Sequence, residues 1–237
     1  MPPHATDRAS SPEKQRPGLR VSTRSDAEAA MSSDVSTGQI ETREQEAFMR
    51  RLILQTGISI DGYVAALDRS HPWSDGSEDE AVKRWILDSV WAAGAHLMGR
   101  VTYEEMAGFW PTSTSEYARP MNEIPKVVFS KTLEHADWAE TRIARGDLSD
   151  EIGRLKREPG NDLIAYGGAR FDQALSRLGL VDEYRLMIQP AALGAGLPLF
   201  KDLPAPLHLE LVEATTYATG VAIHVYRPRL SVSAIVP

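Results

Sequence analysis

The chain contains no cysteine, and this absence removes several classes of function at once. Disulfides, thiolate metal ligands and a cysteine nucleophile are all excluded. The six histidines are dispersed, with no pair at the spacing by which one helix face holds a metal, so we expect no metal site. The lack of thiols is also compatible with a reducing compartment, and we expect a cytoplasmic protein.

The chain also has fewer basic than acidic residues and no long uninterrupted apolar run, and both features limit the kinds of partner it can bind. Basic residues number 26 against 33 acidic ones, and the resulting net charge of −7 disfavours nucleic acid. The longest apolar stretch, residues 186–200, is interrupted by polar, glycine and proline residues and is too short for a membrane helix. We therefore expect a soluble protein with a small-molecule substrate, no nucleic acid and no membrane as partner.

Large apolar residues are scarce in one part of the chain, residues 1–48, where Phe48 is the single aromatic. Such a segment buries too little apolar surface to offset its chain entropy, which predicts a disordered tail. Met31 and Met49 are alternative translation starts to Met1. One domain is predicted over residues 49–230, followed by a short C-terminal tail over 231–237.

Apolar runs alternate with segments of helical period from Arg51 onward. The predicted strands cover 51–55, 95–98, 126–130, 141–144, 163–166 and 184–189, with a closing hairpin at 207–213 and 221–226. The predicted helices cover 77–93 and 102–109, opened by Ser77–Glu80 and Thr102–Glu105 capping boxes, a segment capped by Asp147, and 171–178. This alternation predicts an α/β fold of three layers: a mostly parallel central sheet, helices on both faces and an antiparallel C-terminal hairpin.

Two glycine-bearing turns carry the strongest functional signal. Gly99-Arg100-Val101-Thr102 and Gly167-Gly168-Ala169-Arg170 each follow a predicted strand and precede a predicted helix. A helix N-terminus offers unpaired N–H groups, and glycine lets a phosphate approach the main chain. Each turn alone also suits an ordinary strand-to-helix connection, but together they favour a nucleotide cofactor at the carboxyl edge of the sheet.

Other patterns do not lead to a site. Residues 57–62 differ from a nucleophile elbow because Asp61 replaces its second glycine and no helix follows. Residues 194–196 lack the third glycine of a dinucleotide fingerprint, so we interpret them as a loop. His96 and His224 are expected to pack within strands. Acidic residues near Asp75 suit helix capping, and a substrate-facing acid there is the alternative.

Five blocks of the sequence, taken in order, resemble one family. They are Ser59 to Ala65, Met98 to Glu104, Val128 to Thr132, Tyr166 to Ala169, and Pro190 with Leu193 to Phe200. In this order they resemble the dihydrofolate-reductase-like superfamily, and within it the riboflavin-biosynthesis reductase branch, the RibD C-terminal domain. The resemblance covers residues 50 to about 228.

The resemblance implies an NADPH-dependent oxidoreductase that transfers a hydride to a small heterocyclic substrate, similar to 5-amino-6-(5-phosphoribosylamino)uracil reductase. It implies the following cofactor-binding residues: Gly99, Arg100 and Thr102 at the adenosine-side phosphates, Ser130 and Lys131 near the 2′-phosphate, Gly167, Gly168, Ala169 and Arg170 along the diphosphate, and Ile60, Asp61 and Gly62 on a loop at the nicotinamide.

Catalytic residues are left open by the sequence, with Asp61 and Asp75 as the candidates. The alternatives to a reductase of this branch are a non-catalytic nucleotide-binding or interaction module on the same fold, and a dihydrofolate reductase. The resemblance also implies a homodimer.

Overall fold

The computed structural model describes residues 49–73 and 79–229. The predicted tails at 1–48 and 231–237 lie outside these residues, as do Asp75 and Ser77. The strands of the described residues are Leu52–Ser59 (β1), Tyr63–Ala65 (β2), Ala95–Gly99 (β3), Lys126–Phe129 (β4), Thr141–Ala144 (β5), Leu163–Ala165 (β6), Glu183–Gln189 (β7), Leu197–Pro198 (β8), Leu209–Thr216 (β9) and Ala222–Pro228 (β10).

The helices of the described residues lie mostly between these strands. They are Glu80–Trp91 (α1), Arg100–Phe109 (α2), Ala118–Glu123 (α3), Leu148–Arg157 (α4) and Ala169–Arg177 (α5), with a short 3-10 helix at Trp110–Thr112. None of the helices within 49–73 and 79–229 has the length and apolar character to cross a bilayer.

Eight strands form one sheet in the order β5-β4-β3-β6-β1-β7-β10-β9. The six from β5 to β7 pair in parallel, and the last two pair antiparallel as a hairpin. Buried side chains occupy both faces of β1, where Leu52, Ile53 and Leu54 are at most 2% exposed. A strand covered on both faces reads as a continuous apolar run, and this is why the sequence identified the parallel strands. The predicted α/β fold with its antiparallel hairpin is confirmed.

The predicted starts of two helices are wrong. Thr102 was expected to cap α2, but the helix begins at Arg100 with Gly99 as its N-cap, so Thr102 lies inside the first turn and is buried. The first helix begins at Glu80, and its N-cap is Asp79, whose side chain accepts a hydrogen bond from the amide of Ala81. The cap predicted for α4 is confirmed, because Asp147 accepts from the amides of Ser149 and Asp150.

Three further features differ from the sequence prediction. β1 continues to Ser59, so Gly57 belongs to the strand and the backbone leaves the sheet only at Ile60. β2 and β8 pair as a separate two-stranded sheet that the pattern did not predict. The short helix α3 was also missed. His96 and His224 do lie in strands, as expected.

The hairpin leaves one long edge of the main sheet unpaired within the described residues. β9 forms this edge, and its Leu211 and Val212 are 43% and 39% exposed. An exposed apolar edge strand is a ready partner for a second chain. The homodimer stays a prediction, and sedimentation of the protein as a monomer at every concentration would contradict it.

Candidate cofactor site

The two glycine turns are neighbours in space. β3 and β6 are adjacent parallel strands, so the turns that follow them leave the same edge of the sheet. A Cβ atom placed on Gly99 would lie 3.3 Å from Cβ of Phe171 in α5, and one on Gly168 would lie 2.9 Å from Oγ1 of Thr102 in α2. Each turn therefore packs against the helix that opens from the other.

The paired glycines adopt a conformation that other residues avoid. Gly167 has φ +90° and Gly168 has φ +54°, both in the left-handed half of the map. The turn is also closely packed, because a side chain on Gly167 would lie 3.0 Å from Oδ2 of Asp172. Gly167 is buried and Gly168 is partly exposed, so the turn brings main chain without a side chain to the surface at Gly168. Glycine lets a phosphate group approach such a main chain.

The helices that start at these turns have no side-chain cap. Gly99 and Gly168 occupy the N-cap positions of α2 and α5, and neither has a side chain that could accept from the first amides of its helix. The aspartates that cap α1 and α4 do so with their side chains. Free amides and the positive end of the helix dipole together favour an anion at this edge.

The basic side chains near the two turns differ in their surroundings. The Nη1 atom of Arg100 donates to both carboxylate oxygens of Glu104, at 2.7 and 3.0 Å, so this guanidinium is partly neutralised. Arg170 and Lys131 are exposed. The hydroxyl oxygen of Ser130 accepts from the amides of Thr132 and Leu133, which fixes the turn that carries Lys131.

A cavity of about 290 Å³ lies beside the first turn, at the carboxyl ends of β4 and β5. Phe129 and Phe171 form its apolar wall, with ring centroids 5.0 Å apart. Ser130, Lys131 and Asp147 contribute its polar groups. Phe129 is the register partner of Gly99, so the cavity adjoins the glycine turn. Sequence reasoning found Ser130 and Lys131 but missed both aromatic rings and Asp147.

The loop after β1 is tied to a second loop through Asp61. Its carboxylate accepts from the amides of Leu193 and Gly194, at 2.8 to 3.2 Å, and from the hydroxyl of Ser59 at 2.5 Å. These hydrogen bonds, the one from Ser59 foremost, lower the pKa of Asp61. The amide of Ile60 donates to Ala191, and the Ile60 side chain is 65% exposed. Asp61 thus holds the two loops together at the end of β1.

Two buried polar groups, near the amino ends of β3 and β4, were not predicted as functional. His96 in β3 is fully buried, its ring lies 5.1 Å from that of Tyr166, and burial lowers its pKa to about 4. Lys126 donates to the carbonyls of Met121, Asn122 and Ile124, and burial lowers its pKa to about 8. These groups stabilise α3 against the sheet.

The structure thus arranges the predicted residues in sheet order along one edge. Residues 130–131 follow β4, residues 99–102 begin at the last residue of β3, residues 167–170 follow β6, and residues 60–62 follow β1. Asp75, the other catalytic candidate, lies outside the described residues. The role of each residue stays a prediction.

Residues 50–223 match the family described as the RibD C-terminal domain. The chain belongs to this family. The match covers most of the domain predicted from sequence, and it confirms the resemblance carried by the five blocks. The uncharacterised protein YyaP of Bacillus subtilis (strain 168) is 29% identical to this RibD C-terminal domain protein over 184 residues, which cover 75% of this chain and 94% of YyaP.

Two solved structures share the fold of this RibD C-terminal domain. One is a diaminohydroxyphosphoribosylaminopyrimidine deaminase/5-amino-6-(5-phosphoribosylamino)uracil reductase of Thermotoga maritima, at 15% identity and a TM-score of 0.57, over 78% of this chain and 58% of that one. The other is a dihydrofolate reductase of Enterococcus faecalis complexed with NADP(H), at 11% identity and a TM-score of 0.54, over 77% of this chain and 99% of that one. At these identities the likeness establishes the fold.

Proposed function

We propose that this protein is an NADPH-dependent reductase of a small heterocyclic substrate. The observation that carries the proposal is the twin-glycine turn at 167–168, with positive φ at both residues, facing the uncapped start of α2. Membership of the RibD C-terminal domain family and the shared fold with a reductase that holds NADP(H) support it.

We assign each part of NADPH to a group of residues along this edge of the sheet. The amides at the starts of α2 and α5 would bind the diphosphate, with Thr102 beside Gly168. The cavity whose apolar wall is formed by Phe129 and Phe171 would take the adenosine, with Lys131 on its rim. The loop at residues 60–62 would then lie over the nicotinamide at the end of β1.

Hydride transfer needs positioning more than it needs a dedicated nucleophile, because the bound nicotinamide supplies the hydride. The rigid turns of this chain would fix the dinucleotide against the sheet. The exposed Ile60 side chain, on a loop that Asp61 ties to residues 193–194, would exclude water from the ring. Asp61 would therefore act by holding this loop.

The substrate that we propose is a pyrimidine of the 5-amino-6-(5-phosphoribosylamino)uracil type. The reductase named for the Thermotoga maritima protein supports this choice. Oxidation of NADPH followed at 340 nm with this substrate, and with dihydrofolate in a parallel assay, distinguishes the two chemistries.

Cofactor binding is the first test of the proposal. NADPH at 100 times its dissociation constant is expected to stabilise the folded protein by about 2.7 kcal/mol, because it binds the native state alone. A thermal melt with and without NADPH measures the effect. If neither NADPH nor NADH raises the melting temperature, the reductase proposal fails and a non-catalytic module on this fold takes its place.

The choice between NADPH and NADH provides a second prediction, centred on Lys131. The Lys131→Ala variant is expected to weaken NADPH binding about tenfold and NADH binding much less, because Lys131 would pair with the 2′-phosphate. Arg100→Ala is the matched comparison, since Glu104 already neutralises part of its charge. Titrations of both variants with both cofactors measure the ratio, and equal weakening of the two cofactors in Lys131→Ala would exclude this role.

A further inference from the structure

A second cavity, of about 340 Å³, lies at the other end of the sheet from the glycine turns. Arg51, just before β1, and Glu183, the first residue of β7, both line it, so it opens beside the amino ends of these parallel strands. β1 is eight residues long, which separates its two ends by roughly 25 Å. The volume falls within the range of about 300 to 1,000 Å³ that pockets for small ligands span. The cavity is therefore of ligand size and apart from the cofactor edge.

Helix α1 and the strands β7, β10 and β9 form the walls of this cavity. Arg185 of β7 is in register with Val225 of β10, and Val225 is in register with Glu213 of β9, so the three side chains lie on one face of the sheet. α1 covers this face through Ser89, whose hydroxyl oxygen accepts from Nη1 of Arg185 at 2.8 Å. Trp85, four residues before Ser89, lies on the same side of the helix. The cavity is therefore the space between α1 and the hairpin.

One buried carboxylate holds three arginines at this cavity. Glu183 is 3% exposed, and its Oε1 atom accepts from Nε of Arg185 at 2.9 Å. Its Oε2 atom accepts from Nη1 of Arg51 and from Nε and Nη2 of Arg227, at 2.9 to 3.1 Å. These bonds fix the planes of the guanidinium groups. Within the described residues they leave one terminal nitrogen of Arg185 and one of Arg227 for a ligand.

Acidic and apolar side chains line the same cavity. In all, three arginines and three acids contribute to the lining, so their formal charges balance. One of the acids, Asp88 of α1, is exposed and lies three residues after Trp85, on the side of the helix that faces the cavity. Val212 and Val225 add apolar surface. The lining therefore matches a molecule that carries both charges and an apolar part.

We propose that this cavity binds a small zwitterion, of which an α-amino acid with an apolar side chain is the simplest. The ligand carboxylate pairs with Arg185 and Arg227, because planar guanidinium groups match the geometry of a carboxylate. The ammonium group lies toward Asp88, and the apolar side chain packs against Trp85. A ligand with only one of the two charges leaves the opposite charges of the lining without a partner, which weakens its binding. The site is independent of the proposed function, because it lies at the other end of the sheet.

Three probes that differ mainly in charge test the proposal. L-Phenylalanine carries both charges, 3-phenylpropionate lacks the ammonium group, and 2-phenylethylamine lacks the carboxylate. Isothermal titration of the full chain is expected to show saturable binding of L-phenylalanine at one site per chain. The other two probes are expected to bind at least about tenfold more weakly, because each loses a hydrogen-bonded charge. L-Alanine, which lacks the ring, is expected to bind more weakly as well.

Two substitutions separate the two ends of the ligand. Arg227→Gln is expected to weaken L-phenylalanine about tenfold and to leave 2-phenylethylamine unchanged, and Arg229→Gln, at an exposed arginine outside the cavity, is its control. Asp88→Asn is expected to weaken L-phenylalanine by a smaller factor, about threefold, and to leave 3-phenylpropionate unchanged. Asp137→Asn, which removes an exposed acid in the loop before β5, is its control. Thermal melts check that each variant folds, and Asp88→Asn, at an exposed helix position, keeps the test available if Arg227→Gln does not.

The outcomes divide as follows. Binding of L-phenylalanine that needs both charges, and that falls in Arg227→Gln and Asp88→Asn but not in the controls, supports the inference. No saturable binding of L-phenylalanine, equal binding of the three charged probes, or binding that survives both substitutions overturns it, and the arginines then serve only to hold the strand ends together. Competition between L-phenylalanine and NADPH would place the amino acid at the cofactor edge and also overturns it.

Discussion

Replacing Gly168 with alanine is expected to weaken NADPH binding by at least about a hundredfold. Gly168 has φ +54°, where a Cβ atom is strained, and that atom would lie 2.9 Å from Oγ1 of Thr102. Either the turn or the Thr102 side chain in the first turn of α2 has to move. Because the turn and the helix start would together bind the diphosphate, a small displacement removes several hydrogen bonds at once. Titration with NADPH, followed by protein fluorescence, measures the loss.

Gly179 provides the matched control for this substitution. It follows α5 with φ +63°, but no atom lies within 4 Å of the position of its Cβ. Gly179→Ala therefore introduces the same backbone strain, about 1 kcal/mol or somewhat more, far from the glycine turns. This variant is expected to melt at a lower temperature and to bind NADPH as the wild type does. Unchanged binding in Gly168→Ala would mean that the diphosphate lies elsewhere.

Sequence patterns predicted the sheet well and the helix starts less well. The central parallel strands β1, β3, β4 and β6 are mostly buried on both faces, so their apolar runs are visible without knowledge of the fold. The start of α2 was placed at Thr102 because Thr102 and Glu105 match a capping box. In the structure Thr102 is buried against Gly168, and the glycine before the helix leaves its amides free. The capping-box pattern therefore misplaced the start of a helix whose N-cap residue has no side chain.

The sequence predicted the main-chain turns of the candidate site but not the aromatic side chains of its cavity. Glycine pairs and strand ends are local signals, so residues 99 and 167–168 were visible in the sequence. The cavity wall needs Phe129 and Phe171, which come from separate elements and meet only because β4 and β3 are neighbours in the sheet. Asp172 did leave a signal: it lies three residues before the buried Leu175, on the inner face of α5. Acidic residues are rarely fully buried, so an acid on the apolar face of a predicted helix is a signal that sequence analysis can use.

Burial of Asp172 is expected to make the protein less stable as the pH rises from about 4 to about 8. The folded-state pKa is near 8 and the reference value for an unfolded aspartate is 3.8. Between these values the folded state binds more protons than the unfolded state, so the free energy of unfolding falls with rising pH. Each pKa unit corresponds to about 1.4 kcal/mol, which places the total cost on the order of several kcal/mol by pH 8.

The Asp172→Asn variant removes this cost, because the amide is neutral in both states. We expect its gain in the free energy of unfolding to be small near pH 4 and to reach its full value by pH 8. Urea unfolding of wild type, Asp172→Asn and Asp137→Asn at pH 4.5, 6 and 8 measures the difference. Burial also lowers the pKa of His96, but His96 is present in all three proteins and its contribution cancels. A gain that is equal at all three pH values would show that the substitution acts through packing, and that Asp172 ionises as freely in the folded protein as in the unfolded chain.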